Sequence, residues 1–403
     1  MKRTNGLFWQ LGLLLVVLGC LLSACGSATT GTATSNTQAP TGNTTVIVPT
    51  KSAPTSTGTQ AVATTTGQVT ILPTRPLTHI RMTDAMHGWA LDQDNVLKTS
   101  DGGKSWVALT PNGAAITSVT TVDFLSAQDA WFVMPNSNGT LTIFATVTGG
   151  ATWHDSVLHE AAPDGGLLSF ITSTYGWFEA APYGAGAGSE AVDIFQTSDG
   201  GASWNKISSS GSAPGNLPAG GIKSGLSFKT SLIGWATGED ASNAPWLYVT
   251  RDGGKSWSKQ VIGGLASGAT GYQTQPPVFI GNEGYLPLTA NASGSGTVLV
   301  RSNDGGNTWS ASGQAVTSFV TSNLYVVNTQ VAYATDQNSG DFFQTQNAGK
   351  TWQKVATNTG LNGPLSFIDA NTGFATGRPN QTLLKRSDDG GKTWQNIAYQ
   401  IHG

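Results

Sequence analysis

Six carboxylates between residues 160 and 240 are the groups in this 403-residue chain best placed to do chemistry: Glu160, Asp164, Glu179, Glu190, Glu239 and Asp240. Two carboxyls about 5–10 Å apart would serve a glycoside hydrolase, one as acid and one as base or nucleophile. Nothing in the spacing of these six pairs any two of them. The histidines are 79, 87, 154, 159 and 402. His154 and His159 do not form the i, i+4 pair of a zinc helix motif. On a strand, positions five apart point to opposite faces. The chain has no nucleophile elbow, no phosphate loop and no alternating acids of a calcium-binding loop. No cofactor is expected.

The elements that would hold such residues announce themselves by repetition. One eight-residue phrase occurs seven times: TSDGGKSW (99–106), TVTGGATW (146–153), TSDGGASW (197–204), TRDGGKSW (250–257), SNDGGNTW (302–309), TQNAGKTW (345–352) and SDDGGKTW (387–394). A fixed phrase at intervals of 42–53 residues marks a repeat architecture. Its third slot holds Asp101, Asp199, Asp252, Asp304, Asn347 and Asp389, with Thr148 in the second copy. Apolar, β-prone runs flank every copy, so each reads as a hairpin turn. Gly supplies positive φ, Asp or Asn accepts the turn's own N–H groups, and Trp buries a large surface. Such chemistry stabilises a turn and needs no ligand.

A second phrase precedes each turn: HGWAL, DAWFV, YGWFE, IGWAT, EGYLP, VAYAT and TGFAT. Its aromatic slot is Trp89, Trp131, Trp177, Trp235, Tyr285, Tyr333 or Phe374. With one more β-prone run upstream, each repeat contains four short antiparallel strands. Seven repeats over residues 76–403 predict an all-β fold, a seven-bladed β-propeller. The chain is expected to start at a first strand and stop at a fourth. The run QVTIL (68–72) is placed to join the outer edge of the last blade and help close the ring.

The N-terminus reads as an export and anchoring signal. Lys2 and Arg3 precede an apolar run that ends in Leu22-Ser23-Ala24-Cys25. This resembles a bacterial lipobox, which implies a signal peptide over 1–24 and a lipid on Cys25. Residues 25–75 are rich in Thr, Ser and Gly, and are expected to be a disordered stalk. Loss of 1–24 removes two cations and leaves 18 Lys+Arg against 23 Asp+Glu, about −5. That disfavours a nucleic-acid footprint, which needs a concentrated basic face, and no nucleic-acid partner is expected.

TSDGGKSW resembles the bacterial neuraminidase repeat, or Asp box. Its pairing with GWA is similar to the seven-bladed photosystem II stability and assembly factors and their bacterial relatives. That resemblance implies a non-enzymatic, lipid-anchored assembly factor at the cell surface. It also implies boxes on the face away from the binding site. Sialidases share the box, but grip a carboxylate with three arginines. Of the six arginines beyond the signal, Arg251, Arg301 and Arg386 sit in repeat slots, leaving Arg75, Arg81 and Arg378. Sialidase activity is not expected.

The reading is a monomeric, membrane-anchored propeller that binds an extracytoplasmic protein, the alternative being a glycan-binding or glycan-cleaving head. Binding is expected where loops are longest, on blades 3 and 4: 182–190, 208–221 and 239–246. Of 13 tryptophans, only Trp246 falls outside the repeat slots and the signal, so it is the expected exposed anchor. Glu239, Asp240, Tyr183 and Glu190 are its expected neighbours. Arg81 and Arg378 are the remaining unexplained charges, expected near the channel mouth.

Overall fold

The computed structural model describes residues 56–61 and 70–403, except 119, 164–165, 241–243, 266–270, 291–295, 322 and 379–380. Cys25, the signal segment, most of the expected stalk and Asp164 lie outside the described residues.

Every described regular element is a strand. The first blade is His79–Met82, Gly88–Leu91, Val96–Thr99 and Ser105–Ala108, paired in that order. Six further four-stranded antiparallel sets follow over 121–158, 167–209, 222–259, 278–310, 323–356 and 365–397. The seven repeats are seven blades of a β-propeller. Blades 4 and 5 are additionally joined by Tyr272–Thr274, which pairs with strands of both.

Blade stacking follows from one spacing. The residue seven positions before most aromatic slots is Phe124, Phe170, Phe228 or Phe367, with Phe279 six before Tyr285. Each of these rings lies at or next to the end of a first strand and stacks on the aromatic slot of the preceding blade. Trp131 meets Phe170 at 3.7 Å, Trp177 meets Phe228 at 3.6 Å and Tyr333 meets Phe367 at 4.0 Å between centroids. Such pairs add about 0.5–1.5 kcal/mol each beyond the area they bury. The aromatic slots are fully buried, as are most box tryptophans; Trp352 and Trp394 are half-buried.

Ring closure differs from expectation. The chain runs one strand past the last blade: Gln400–His402 leaves blade 7 and pairs in parallel with Ser105–Ala108 on blade 1. Ile71–Leu72 then pairs with Gln400–His402. The outer strand contributed by the N-terminal run therefore extends blade 1, not the last blade. Ser56–Ala61, inside the segment read as a stalk, is also a strand, on the outer edge of blade 2 against Thr152–Leu158. A hydrogen bond at the channel closes the same seam: the Met82 N–H donates to Ser366 Oγ at 2.8 Å.

Candidate binding faces

The boxes lie on one face. In each, the fourth-slot N–H donates to a carbonyl in the turn between the first and second strands, as Gly102 does to Met86 and Gly253 to Leu232. The loops between second and third strands, and those between blades, therefore lie on the opposite face.

The box works as its residue types suggest. At Asp252, Oδ1 accepts from Thr250 Oγ1 at 2.8 Å and from the Ser256 N–H at 2.9 Å, and Oδ2 accepts from Ser256 Oγ at 2.5 Å. Asp101, Asp199, Asp304 and Asp389 repeat the pattern. Asn347 accepts through Oδ1 and donates through Nδ2 to Thr351 Oγ1. Thr148 accepts the Thr152 N–H with its hydroxyl. The first-slot hydroxyl accepts the fifth-slot Gly N–H in all seven boxes, at 2.8–3.0 Å. That explains why the first slot is always Ser or Thr. Partial burial opposes ionisation of these aspartates, but their donors outweigh it and hold them below the ordinary carboxylate range.

On the opposite face, the long excursions of blades 3 and 4 meet. Ser189 bridges to Gly221, the Glu190 N–H donates to the Ala219 carbonyl, and the Gly221 N–H donates to the Gly188 carbonyl. The convergence of 182–190 with 208–221 was legible in loop length. The residue that locks it was not. Lys223, in the first strand of blade 4, is 7 % exposed. Its Nζ donates to the carbonyls of Glu190 (2.6 Å), Pro218 (2.9 Å), Ala219 (3.3 Å), Gly220 (3.2 Å) and Gly221 (2.9 Å). A Glu190 carboxylate oxygen accepts the Lys223 N–H at 2.6 Å. Lone among apolar and small residues in IKSGLSF, directly after a Gly/Pro-rich loop, Lys223 was a signal in the sequence that composition alone does not single out.

Trp246 corrects the expected anchor. It is 1 % exposed, packs with Leu217 and Leu226, and donates from Nε1 to the Gly220 carbonyl at 3.2 Å. Lys223 Nζ lies 5.0 Å from its ring centroid. The indole is buried because a long loop needs an apolar floor, which the open strand end supplies. Tyr183, 87 % exposed, is the aromatic that this face presents. Glu239 and Asp240 are half-buried at the end of the second strand of blade 4, and Glu239 pairs in register with Ile222.

Beneath the platform lies Glu179, 2 % exposed, with one carboxyl oxygen lacking a partner. Burial, with Glu190 adding to it and Lys223 opposing, pushes its carboxyl up to about 8. Burial likewise pulls the Lys223 ammonium down to about 8, against Glu179 and Glu190. Of the other carboxylates weighed for hydrolysis, Glu160 pairs with Lys206 at 2.9 Å.

Arg81 lies on the innermost strand of blade 1 and lines a channel cavity of about 330 Å³ with His79, Val122, Asp123, Leu125 and Pro364. It donates to Tyr325 Oη at 2.5 Å, reaching past blade 7 to blade 6. Asp123 accepts the Phe170 N–H at 2.7 Å, so it staples blade 2 to blade 3. Burial, opposed by that bond and by Arg81, pushes its carboxyl up to about 6. Arg378 is exposed on the last blade, and its N–H donates to Gln381 Oε1. The structure does not bring it into the channel cavity with Arg81.

The BNR/Asp-box repeat family matches residues 248–259 and 385–396. No curated protein sequence matches the chain. Among solved structures, the fold is similar to YCF48 bound to D1 peptide (16 % identity, 81 % of this chain and 96 % of that one, TM-score 0.51). It is also similar to the BP39L lectin from Burkholderia pseudomallei (15 %, 81 % and 99 %, TM-score 0.53). The Niastella koreensis GH74 enzyme gives 12 % identity over 83 % of this chain and 55 % of its own, with TM-score 0.56. At such identities the likeness is one of fold. The chain is an all-β propeller built on BNR/Asp-box repeats.

Proposed function

We propose that this chain is a non-catalytic propeller, held at the membrane by a lipid on Cys25, that binds an extracytoplasmic protein through the joined loops of blades 3 and 4. The observation that carries the reading is the locked platform. Two of the longest loops are fastened by backbone bridges and one buried ammonium, with the root of 239–246 pinned under them by Trp246. Surfaces ordered in advance bind without a further ordering cost, and this one presents Tyr183 to solvent. Three of the six carboxylates weighed for hydrolysis are otherwise engaged, which supports binding over cleavage. Glu179 is sealed inside, Glu190 is committed to Lys223 and Glu160 to Lys206. YCF48, similar in fold, is described bound to a peptide.

Crosslinking and pull-down from intact membranes would identify the partner. Tyr183→Ala is then expected to weaken binding by at least about 30-fold, the range of an interfacial aromatic anchor, with an unchanged melting temperature. Unchanged affinity would sink the platform reading. Loss of affinity in Arg81→Ala alone would move the site to the channel. Cys25→Ser is expected to release the chain from membranes in detergent partitioning; equal partitioning would remove the anchor.

A further inference from the structure

Two seams between blades carry the same bond at the channel, and a third is built for it but lacks it. In blade 3 the Ile171 N–H donates to the Tyr175 carbonyl, so the next pair, Phe170 with Gly176, is of the non-bonded kind. The Phe170 N–H therefore points off the sheet, and Asp123 Oδ2 of blade 2 accepts it at 2.7 Å. Blade 1 is built alike. Met82 faces Gly88 next to the Thr83–His87 bond, and its N–H goes to Ser366 Oγ of blade 7. Blade 2 repeats the geometry, with Phe124 facing Ala130 next to the Leu125–Asp129 bond. The blade 1 counterpart of Asp123 and Ser366 is Arg81, which has no acceptor to offer the Phe124 N–H. No side chain among the described residues takes that N–H. Arg81 turns across the channel to Tyr325 instead.

The gap opens on the channel cavity of about 330 Å³, which Phe124, Arg81 and Asp123 all line. A backbone N–H and a guanidinium, both donors, thus share one space. At the next seam the group that meets the equivalent N–H is a carboxylate, that of Asp123. The Phe228 and Phe367 N–H groups of blades 4 and 7 also lack a side-chain partner among the described residues, but there the preceding blade brings Ser169 or Tyr325 and no cation. Arg81 and Asp123 form none of the ion pairs among the described residues. The Asp123 Oδ1 accepts no bond among them either. Burial raises the Asp123 carboxyl to about 6, against the Phe170 bond and Arg81, so it is mostly ionised at neutral pH. The remaining titratable group of the cavity, His79, bonds Thr78 Oγ1 through Nδ1.

We propose that the channel seam between blades 1 and 2 binds a small free α-amino acid, whose carboxylate accepts from the Phe124 N–H and Arg81 and whose ammonium donates to Asp123. The ligand carboxylate takes the place that an Asp or Ser side chain takes at the two bonded seams. One cation and one anion, unpaired with each other and lining one cavity, match a ligand that carries both charges. The cavity lies at the small end of the roughly 300–1,000 Å³ range of ligand pockets. Val122, Leu125 and Pro364 give an apolar side chain its walls. A chain terminus offers the same carboxylate, but it lacks the ammonium on the neighbouring carbon that Asp123 calls for. This site is independent of the blade 3 and 4 platform and of the lipid anchor.

The test titrates the full chain in detergent, by calorimetry, with L-alanine, propionate, L-alaninamide and trialanine. L-Alanine is expected to bind at least about tenfold more tightly than propionate, which lacks the ammonium, and than L-alaninamide, which lacks the carboxylate. Arg81→Met should weaken L-alanine at least about tenfold. Asp123→Asn keeps an acceptor for the Phe170 N–H, so the fold is retained; it should weaken L-alanine about tenfold and leave propionate no weaker. With nitrogen-labelled phenylalanine, L-alanine should move the Phe124 amide resonance and leave that of Phe170, already bonded, in place. That readout stands even where Arg81→Met proves unstable. Absence of L-alanine binding at millimolar concentration would overturn the proposal, as would equal binding of L-alanine and propionate, or a still Phe124 amide in the saturated protein. Tighter binding of trialanine than of L-alanine would assign the carboxylate to a chain end and overturn the free amino acid.

Discussion

The two faces of the ring solve one problem with opposite charges. At a box, a carboxylate gathers backbone N–H groups: Asp252 accepts from Ser256 N and from two hydroxyls. At the platform, an ammonium gathers backbone carbonyls: Lys223 donates to five of them. The box is wetted, closed within eight residues and made seven times. The lock is buried, joins two blades and is made once. A wetted turn can trade its partner for water, so Asn347 and Thr148 are tolerated. A buried charge has no such alternative, and removing one partner leaves the others unsatisfied.

Substitutions can break that contrast, the largest first. Trp257→Ala removes a buried box indole and should lower stability by about 3–5 kcal/mol in chemical denaturation. Trp394→Ala, half-buried, should cost less; equal losses would show that burial does not rank the boxes. Lys223→Met should cost about 3 kcal/mol by stranding five carbonyls. Amide exchange should rise across 208–221 and stay unchanged at the boxes. A loss under about 1 kcal/mol would mean that the ammonium is a passenger.

The pH response sharpens the same contrast. Glu179 titrates near 8 when folded, above its ordinary value, so its contribution is present below the ordinary range of about 4.5 and is lost as pH rises through 8. Lys223 titrates near 8 when folded, below its ordinary 10.5, so its contribution is present above 10.5 and lost as pH falls through 8. Together they place a shallow stability minimum near pH 8. Glu179→Gln should raise stability there by about 1–3 kcal/mol and flatten the profile, as followed by melting temperature against pH. The box aspartates respond at the other end. Their lowered values make the contribution present above the ordinary carboxylate range and lost as pH falls through the folded value.

Smaller effects belong to the boxes. Asp252→Ala should cost about 1–2 kcal/mol and leave partner binding intact. Ala348, in the blade 6 box, sits at φ 61°, where the other six boxes place glycine. Ala348→Gly should therefore be neutral or stabilising, by up to about 1 kcal/mol, although the methyl packs beside Tyr285 and Leu299. A clear destabilisation would show that this packing outweighs the strain.

The sequence by itself determined what is closed within a few residues. The box hydroxyl, carboxylate and positive-φ glycines find one another across four positions, so their types declare the turn wherever they occur. Seven such turns, with β-prone runs between them, declare the propeller. Loop length declared where the ring is elaborated. Even the blade-to-blade ring contact was written in the sequence, as an aromatic seven positions before the aromatic slot. Its meaning needed the neighbouring blade, because the two rings that touch belong to different repeats. Tertiary structure alone decided the rest. Trp246 looked exposed because it broke the repeat, yet the loop at 217–221 folds over it. Lys223 belongs to no repeat slot and drew no reading from the sequence, yet carbonyls from two loops converge on it. Gln400–His402 closed the ring on blade 1 because that edge, Ser105–Ala108, far earlier in the chain, is adjacent only once the circle is complete. Whether a side chain meets water or protein depends on segments that sequence distance does not bring together, and only packing does.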